Sequence, residues 1–360
     1  MKDLSKRKGY IFAPEPTHHG RNFLIWVLVI VAVLALGVLT LNFVNNNQVV
    51  LDTYRLTVQN LPNDLENWSI LHISDLHGQS IGQGQSAVAR AISGKSYSCV
   101  VFTGDMVGKD GDVQPFLDLL AILPQDVPKF LIAGDSDPGL MDTTAHGSLS
   151  VFADWVTRAQ EAGVTVLDEP LSITRGKSRI WFVPEYFYSL DLDSTQTAYQ
   201  AQLDNLNAQT IALSPDQAAQ KRAAEYQLEK IARLREVKQA MTTTSDVQIA
   251  VTHAPLTADY VSTLLSWQGK DEAFSLRHAA LVLAGHYCAG QWRLPGLGAI
   301  HVPDLGWWPE DSLITGLDYV GGLPQHISPG LGASDDYPWQ PGRLFNAPTV
   351  TLLYLTNKIV

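Results

Sequence analysis

A chain of 360 residues with ordinary apolar (46%) and charged (17%) fractions is long enough to bury one large globular core. Its formal net charge is −11, and five basic residues (Lys2, Lys6, Arg7, Lys8 and Arg21) stand at the very start, so the remainder is more acidic than the total. That balance speaks against nucleic acid or anionic lipid as a surface-bound partner, and two cysteines exclude a disulfide framework.

Residues 23–44 are apolar apart from Thr40 and Asn42 and carry no charge. A stretch of about 20 such residues crosses a bilayer core. The basic residues ahead of it predict a cytoplasmic tail over 1–22, a transmembrane helix over 23–44 and everything beyond on the far side of the membrane. A cleaved signal peptide is the rival reading, with Ala35-Leu36-Gly37 offering small residues. Signal-peptide apolar regions run only about 7–15 residues, which favours the retained anchor.

From residue 48 the pattern is that of a folded domain. Residues 49–58 alternate apolar and polar as a strand does. Apolar runs at 69–73, 100–102, 130–132, 247–251 and 281–283 predict further strands, with helices expected over 85–92, 113–120, 149–162 and 258–267. Each of the five runs ends in a polar motif. These are Asp75-Leu76-His77, Gly104-Asp105, Gly134-Asp135-Ser136-Asp137, Thr252-His253-Ala254 and Gly285-His286-Tyr287-Cys288. One aspartate after a strand is ordinarily a helix cap; five motifs in series predict an α/β sheet with a site at the carboxyl ends of its strands. A Cys99–Cys288 bridge is incompatible with that site, because the strand from Cys99 to Asp105 spans about 20 Å against the ~7 Å limit between bridged Cα atoms.

Between about 190 and 244 the texture turns Ala- and Gln-rich. Ser214-Pro215-Asp216-Gln217 is a helix start, with a capping Ser, Pro in the first turn and Gln three after the cap. Ala224, Leu228, Ile231, Leu234, Val237 and Met241 follow on one drifting face. This predicts a helical insertion. Surface helices packed on the core are the plainer reading; a lid or a protein-binding arm is the sharper one. The C-terminal part is rich in Gly, Pro and Trp. Trp307, Trp308 and Trp339 sit in turn-rich segments, where core packing competes with a groove or a membrane interface.

In order and spacing, the five motifs resemble the calcineurin-like metallophosphoesterase family, whose usual pattern is DxH, GD, GNHD or GNHE, a lone His, and GHxH. Gly290-Gln291-Trp292-Arg293-Leu294-Pro295-Gly296, Ser328-Pro329-Gly330-Leu331-Gly332 and Arg343-Leu344-Phe345-Asn346-Ala347-Pro348 further resemble its membrane-anchored or exported bacterial branch related to YkuE and YaeI. That branch usually reads GHTHGGQ-x-RLPG, SRGLG and R-F-x-N-x-P. The likeness runs from about 49 to 355, apart from the insertion. It implies an α/β sandwich of two mixed β-sheets flanked by helices.

It also implies two divalent ions (Zn, Mn or Fe), or one if the altered ligands forfeit the other. Asp105 would bridge them. Asp75 and His77 would serve the first, with Cys288 at the place of the family's second GHxH histidine. Asp135, His253 and His286 would serve the second, Asp135 replacing the usual Asn. Thiolate suits Zn²⁺ and not Mn²⁺ or Mg²⁺, so Cys288 either biases the first position toward soft metals or is a half-buried side chain with no ligand role. Ser136 stands where the family has a catalytic His, and Asp137, which would orient that His, has lost its client. Positioned acid–base groups contribute roughly 10²–10⁴-fold, and serine supplies no acid near neutral pH. Pro329 replaces an Arg of the branch; Arg293 and Arg343 match the pattern without being placed at a substrate. His18, His19, His72, His146, His278, His301 and His326 match no motif and read as surface or packing residues. Two functions remain. One is a membrane-anchored, extracytoplasmic phosphoesterase, attenuated or specialised, acting on a small-molecule or lipid-linked phosphomonoester or phosphodiester. The other is an inactive relative that keeps the fold as a binding or scaffold protein.

Overall fold

The computed structural model describes residues 19–109, 111–142, 151–209, 212–242, 244–269, 272–337 and 339–358. The basic residues 2–8, His18 and His146 lie outside them. Two compact units divide the chain, Met1–Val44 and Asn45–Val360. Helix α1 (His19–Asn46) makes up the described part of the first unit and runs two residues into the second; its stretch Gly20–Asn46 is long and apolar enough to cross a membrane by length and composition. At 1.5 Å per residue α1 spans about 42 Å, more than the ~30 Å of a bilayer's hydrocarbon. The hydroxyl of Thr40, near the C-terminal end of α1, is satisfied internally, Thr40 Oγ1 donating to the Leu36 carbonyl at 2.8 Å.

The second unit is built on two six-stranded mixed sheets. One runs β1 (Val50–Thr57), β16 (Thr349–Thr356), β2 (Ser69–Ile73), β3 (Cys99–Phe102), β4 (Lys129–Leu131) and β5 (Thr165–Val166) in spatial order, with only the β16–β2 pair antiparallel. The other runs β14 (Gly316–Val320), β15 (Leu323–Ile327), β9 (Ala279–Ala284), β8 (Asp246–Val251), β7 (Ser178–Pro184) and β6 (Leu171–Arg175), antiparallel at both edges and parallel between.

Period-two alternation sorts their side chains into three apolar layers. Ile70, Val101 and Phe130 meet Ile180, Phe182, Ile249 and Leu281 between the sheets. Leu71, Val100, Phe102 and Leu131 face outward onto α2 (Ser86–Ile92), α3 (Gln114–Ala121) and α4 (Asp154–Glu161). Trp181, Val183, Ala250 and Val282 form the outer face of the second sheet, covered by α6 (Pro215–Ala240) and α7 (Ala258–Trp267). The architecture is thus the expected sandwich of two mixed sheets between helices.

Residues 190–244 form two helices, α5 (Leu192–Asn207) and α6. They run antiparallel: Arg235, late in α6, reaches Asp193 at 2.5 Å and Gln196 at 2.6 Å, early in α5. The capping box at the start of α6 is present, Gln217 N donating to Ser214 Oγ at 3.2 Å and Ser214 N to Gln217 Oε1 at 2.9 Å. Ala224, Ile231, Leu234 and Met241 are buried, so the drifting apolar face packs on the second sheet. Two short hairpins, β10 (Arg293–Leu294) with β11 (Gly298–Ala299) and β12 (His301–Val302) with β13 (Gly306–Trp307), follow the last motif.

Candidate metal centre

Parallel strands place all five motifs at one end of the sandwich. Asp75, Asp105 and Asp135 follow β2, β3 and β4 of the first sheet; His253 and His286 follow β8 and β9 of the second. The turns that present them are unusual. Asp75, His77, Asp105, His286 and Cys288 all have positive φ, between 48° and 80°, which costs each non-glycine residue on the order of 1–3 kcal/mol. Glycines permit the close approach of the loops. A Cβ on Gly104 (φ 92°) would stand 2.6 Å from both Gly134 Cα and His253 Nδ1, and one on Gly134 would overlap the Asp105 carboxylate.

The expected ligand residues converge in two donor groups, each with its ligand atoms within 4.8 Å of one another: Asp75, His77 and Cys288; and Asp105, Asp135, His253 and His286. Asp105 Oδ2 lies between them, 3.7 Å from His77 Nε2 and 3.4 Å from His253 Nε2. Cys288 Sγ is 3.5 Å from His77 Nε2, fully buried rather than half-buried. Asp135 reaches His253 Nε2 at 3.1 Å and His286 Nδ1 at 3.6 Å.

The hydrogen bonds around these groups fix their tautomers. Thr103 O is 2.7 Å from His253 Nδ1, and a carbonyl only accepts, so Nδ1 carries the proton and Nε2 faces the centre. Asp304 Oδ2 lies 3.0 Å from His286 Nε2, which turns His286 Nδ1 toward His253 Nε2 at 3.1 Å. Asp75 accepts from the main-chain N of His286 at 2.9 Å and from the Ser74 hydroxyl. Asp105 Oδ1 accepts from Ser136 N at 2.9 Å.

The electrostatics describe a site that wants a cation. Burial pulls the His253 imidazolium down, but hydrogen bonds to Asp105 and Asp135, with the charges of Asp105 and Asp75, outweigh it and hold His253 well above its usual range. Hydrogen bonding to His253 holds Asp135 far below the carboxylate range. Asp105 is lowered too, the hydrogen bond and charge of His253 exceeding the effect of burial. Asp75 is pushed up by burial, and Cys288 well up by burial and the charge of Asp75. Packed acids and a buried thiol of this kind are stabilised by divalent metal, and the oxygen, imidazole and thiolate donors fit one.

The centre opens into a cleft of about 340 Å³ lined by Lys109, Asp135, Ser136, His286, Asp304 and Tyr337. A second lobe of about 310 Å³ includes His77, Gln79 and Asp335 and shares Lys109 and Ser136 with the first. A larger cavity of about 440 Å³, at the amino ends of β8 and β9, holds none of the motif residues. Ser136 is buried at the junction of the two lobes, where it presents no imidazole. Asp137 has a different client from the one expected: its carboxylate accepts from Val107 N at 2.7 Å and Gly134 N at 2.9 Å, tying the third motif to the second.

Arg343 is buried and structural, donating to the carbonyls of Gly332, Pro329 and Asn346 at 2.6, 2.7 and 2.9 Å. Arg293 pairs with Asp311 at 2.6 Å. Neither lines the cleft. His72 and His326 form a buried pair between the sheets, their Nδ1 atoms 2.8 Å apart. Two cleft residues carried no sequence signal: Asp304, at the tip of the β12–β13 hairpin, and Lys109, four residues past Asp105.

Such a double donor group at the carboxyl ends of two facing sheets defines a metal-dependent phosphoesterase. The chain belongs to the calcineurin-like phosphoesterase family, whose model matches residues 69–289. Among solved structures it is similar to the phosphopantetheinyl hydrolase PptH of Mycobacterium tuberculosis, at 15% identity and a TM-score of 0.36, covering 81% of this chain and 96% of that one. No curated protein sequence matches it.

Proposed function

We propose that this protein is a membrane-anchored, metal-dependent phosphoesterase of the YkuE/YaeI-like branch. In this reading residues 1–22 are cytoplasmic, 23–44 span the membrane and the domain from 48 onward is extracytoplasmic, with 190–244 an insertion able to meet a protein partner. The substrate is a small or lipid-linked phosphomonoester or phosphodiester. The observation that carries the reading is the convergence of Asp75, His77 and Cys288 with Asp105, Asp135, His253 and His286 around one carboxylate.

Asp75, His77 and Cys288 would hold one divalent ion, Asp135, His253 and His286 a second, and Asp105 would touch both. Bound there, such ions supply charge neutralisation for the phosphate and activation of a water. The chain's own residues then have separable tasks. Thr103 O and Asp304 hold the two imidazoles in their tautomers. Lys109, which pairs with Asp336 at 2.6 Å, stands at the lip as a cation for a phosphate oxygen. Asp135 adds a negative charge where the family has a neutral amide, which weakens the hold on an anion. Ser136 leaves the departing alcohol without a proton donor, so substrates with a good leaving group, a phenolate or a phosphate, are favoured.

The same Ser136 favours the second reading, an inactive relative used for binding. Elemental analysis of the purified full chain, with turnover of a nitrophenyl phosphodiester in added Mn²⁺ or Zn²⁺, separates them. Nearly two ions and metal-dependent turnover are expected; no bound metal and no turnover would leave the binding protein.

A further inference from the structure

Three tryptophans after the last motif are not in the core. Trp307 is 64% exposed, Trp308 51% and Trp339 45%, with Leu305 exposed beside them. They form one face. Trp339 stacks against Trp307 at 5.5 Å and meets Trp292 at 6.1 Å, while His301 stacks on both Trp307 and Trp339, at 5.0 and 5.5 Å. Backbone bonds stiffen it: Ile300 N donates to Trp292 O and Trp308 N to Ile300 O, each at 3.0 Å. A contiguous exposed aromatic face of this kind marks an interaction surface.

Where the chain enters the domain identifies the partner. Asn46 Nδ2 donates to the Arg343 carbonyl at 2.8 Å, and the adjacent Gly342 carbonyl accepts from Trp292 Nε1 at 3.2 Å. The entry point and the tryptophan face therefore share the loop 339–346. The residues just before Asn46 are the apolar helix. Tryptophan and leucine without free cations is the composition that settles at the headgroup level of a bilayer. The basic side chain nearest in sequence, Arg293, is paired with Asp311 and is not a free cation for anionic lipid.

We propose that this face docks on the interfacial layer of the bilayer in which the chain is anchored. The proposal rests on the anchored reading above. The hairpin that bears Leu305, Trp307 and Trp308 also carries Asp304 into the metal cleft, so docking brings the cleft to the headgroups and makes a lipid phosphate the substrate class it serves.

The test uses the full chain in phosphatidylcholine nanodiscs, with a fluorophore on Leu305→Cys, at a side chain 39% exposed, or, as control, on Tyr319→Cys on β14, where the side chain is more open to solvent at 65%. Cys99 and Cys288 are buried, and the chain without an introduced cysteine gives the blank. Lipids spin-labelled near the headgroup should quench the probe at 305 several-fold more than at 319, independently of salt. Trp307→Ser with Trp308→Ser should remove the difference while hydrolysis of a water-soluble nitrophenyl ester is unchanged. Equal quenching at the two positions overturns the proposal and leaves the anchor intact. A probe at 305 that is shielded from water but not quenched by lipid also overturns it, assigning the face to a protein or a second copy. Loss of the chain from the disc overturns the anchor itself.

Discussion

Restoring an imidazole with Ser136→His is the perturbation that most directly tests whether the site turns over. Ser136 is 5% exposed, lines both lobes of the cleft and is placed by its main-chain N bonding to Asp105 Oδ1. The new ring therefore enters beside the reacting phosphate. A positioned general acid contributes roughly 10²–10⁴-fold. The upper part of that range requires a partner to orient the ring, and Asp137, the candidate, is committed to Val107 N and Gly134 N. A gain of about 10²-fold in kcat/KM, or about 2.7 kcal/mol of transition-state stabilisation, is therefore expected. It should appear on an alkyl phosphodiester, whose leaving group needs a proton, and be small on a nitrophenyl diester, whose leaving group does not. Paired kinetics on the two esters, with metal content measured on the same samples, is the assay. An unchanged alkyl rate at unchanged metal content, or an equal gain on both esters, would refute the missing-acid account.

Other perturbations follow from the same geometry. Cys288→His should move metal preference from Zn²⁺ toward Mn²⁺, read as the ratio of activities after reconstitution with each; an unchanged ratio would return Cys288 to a packing role. Asp304→Ala should release the His286 tautomer and weaken metal affinity by roughly 10–100-fold, measured by competition with a chelating dye. Gly134→Ala should abolish the metal centre, because its Cβ overlaps the Asp105 carboxylate, and elemental analysis would show the loss. Burial holds His326 down at about 3 against an ordinary 6.5, so it is neutral when folded and takes up a proton on unfolding below 6.5. The stability it secures is complete above pH 6.5 and is lost as pH falls toward 3, about 2 kcal/mol at pH 5. His326→Leu, less stable at pH 7 because it leaves His72 Nδ1 unpaired, should lose about 2 kcal/mol less than the parent between pH 7 and pH 5 in urea unfolding.

The strands were legible because the apolar runs are too short for helices and each leads directly into a polar motif. Predicted runs such as 69–73 and 247–251 agree with β2 and β8 to within a residue. The donor residues could be read for the same reason: a ligand at the end of a parallel strand is placed by that strand alone. What the sequence hid is what depends on two distant segments meeting. Asp304 acts on His286 across 18 residues only because the β12–β13 hairpin folds back over the site. Lys109 and Asp336 meet from loops 227 residues apart. The tryptophans read as core because large aromatic residues usually are; nothing local says that three would be left in solvent.

Asp137 gives the sharpest contrast between motif and chemistry. Its place in the motif implied a carboxylate that orients a histidine, and without the histidine it looked idle. The two backbone amides it accepts show why it persists beside Ser136. They tie the turn carrying Asp135 to the one carrying Asp105, so the second donor group depends on Asp137 whether or not an acid stands next to it. Serine in place of histidine at 136 removes a proton donor, whereas substituting Asp137 would loosen Asp105 and Asp135 together. A chain that has lost the first and kept the second still holds the geometry a metal needs. That asymmetry is the physical reason to expect bound metal even if catalysis proves weak.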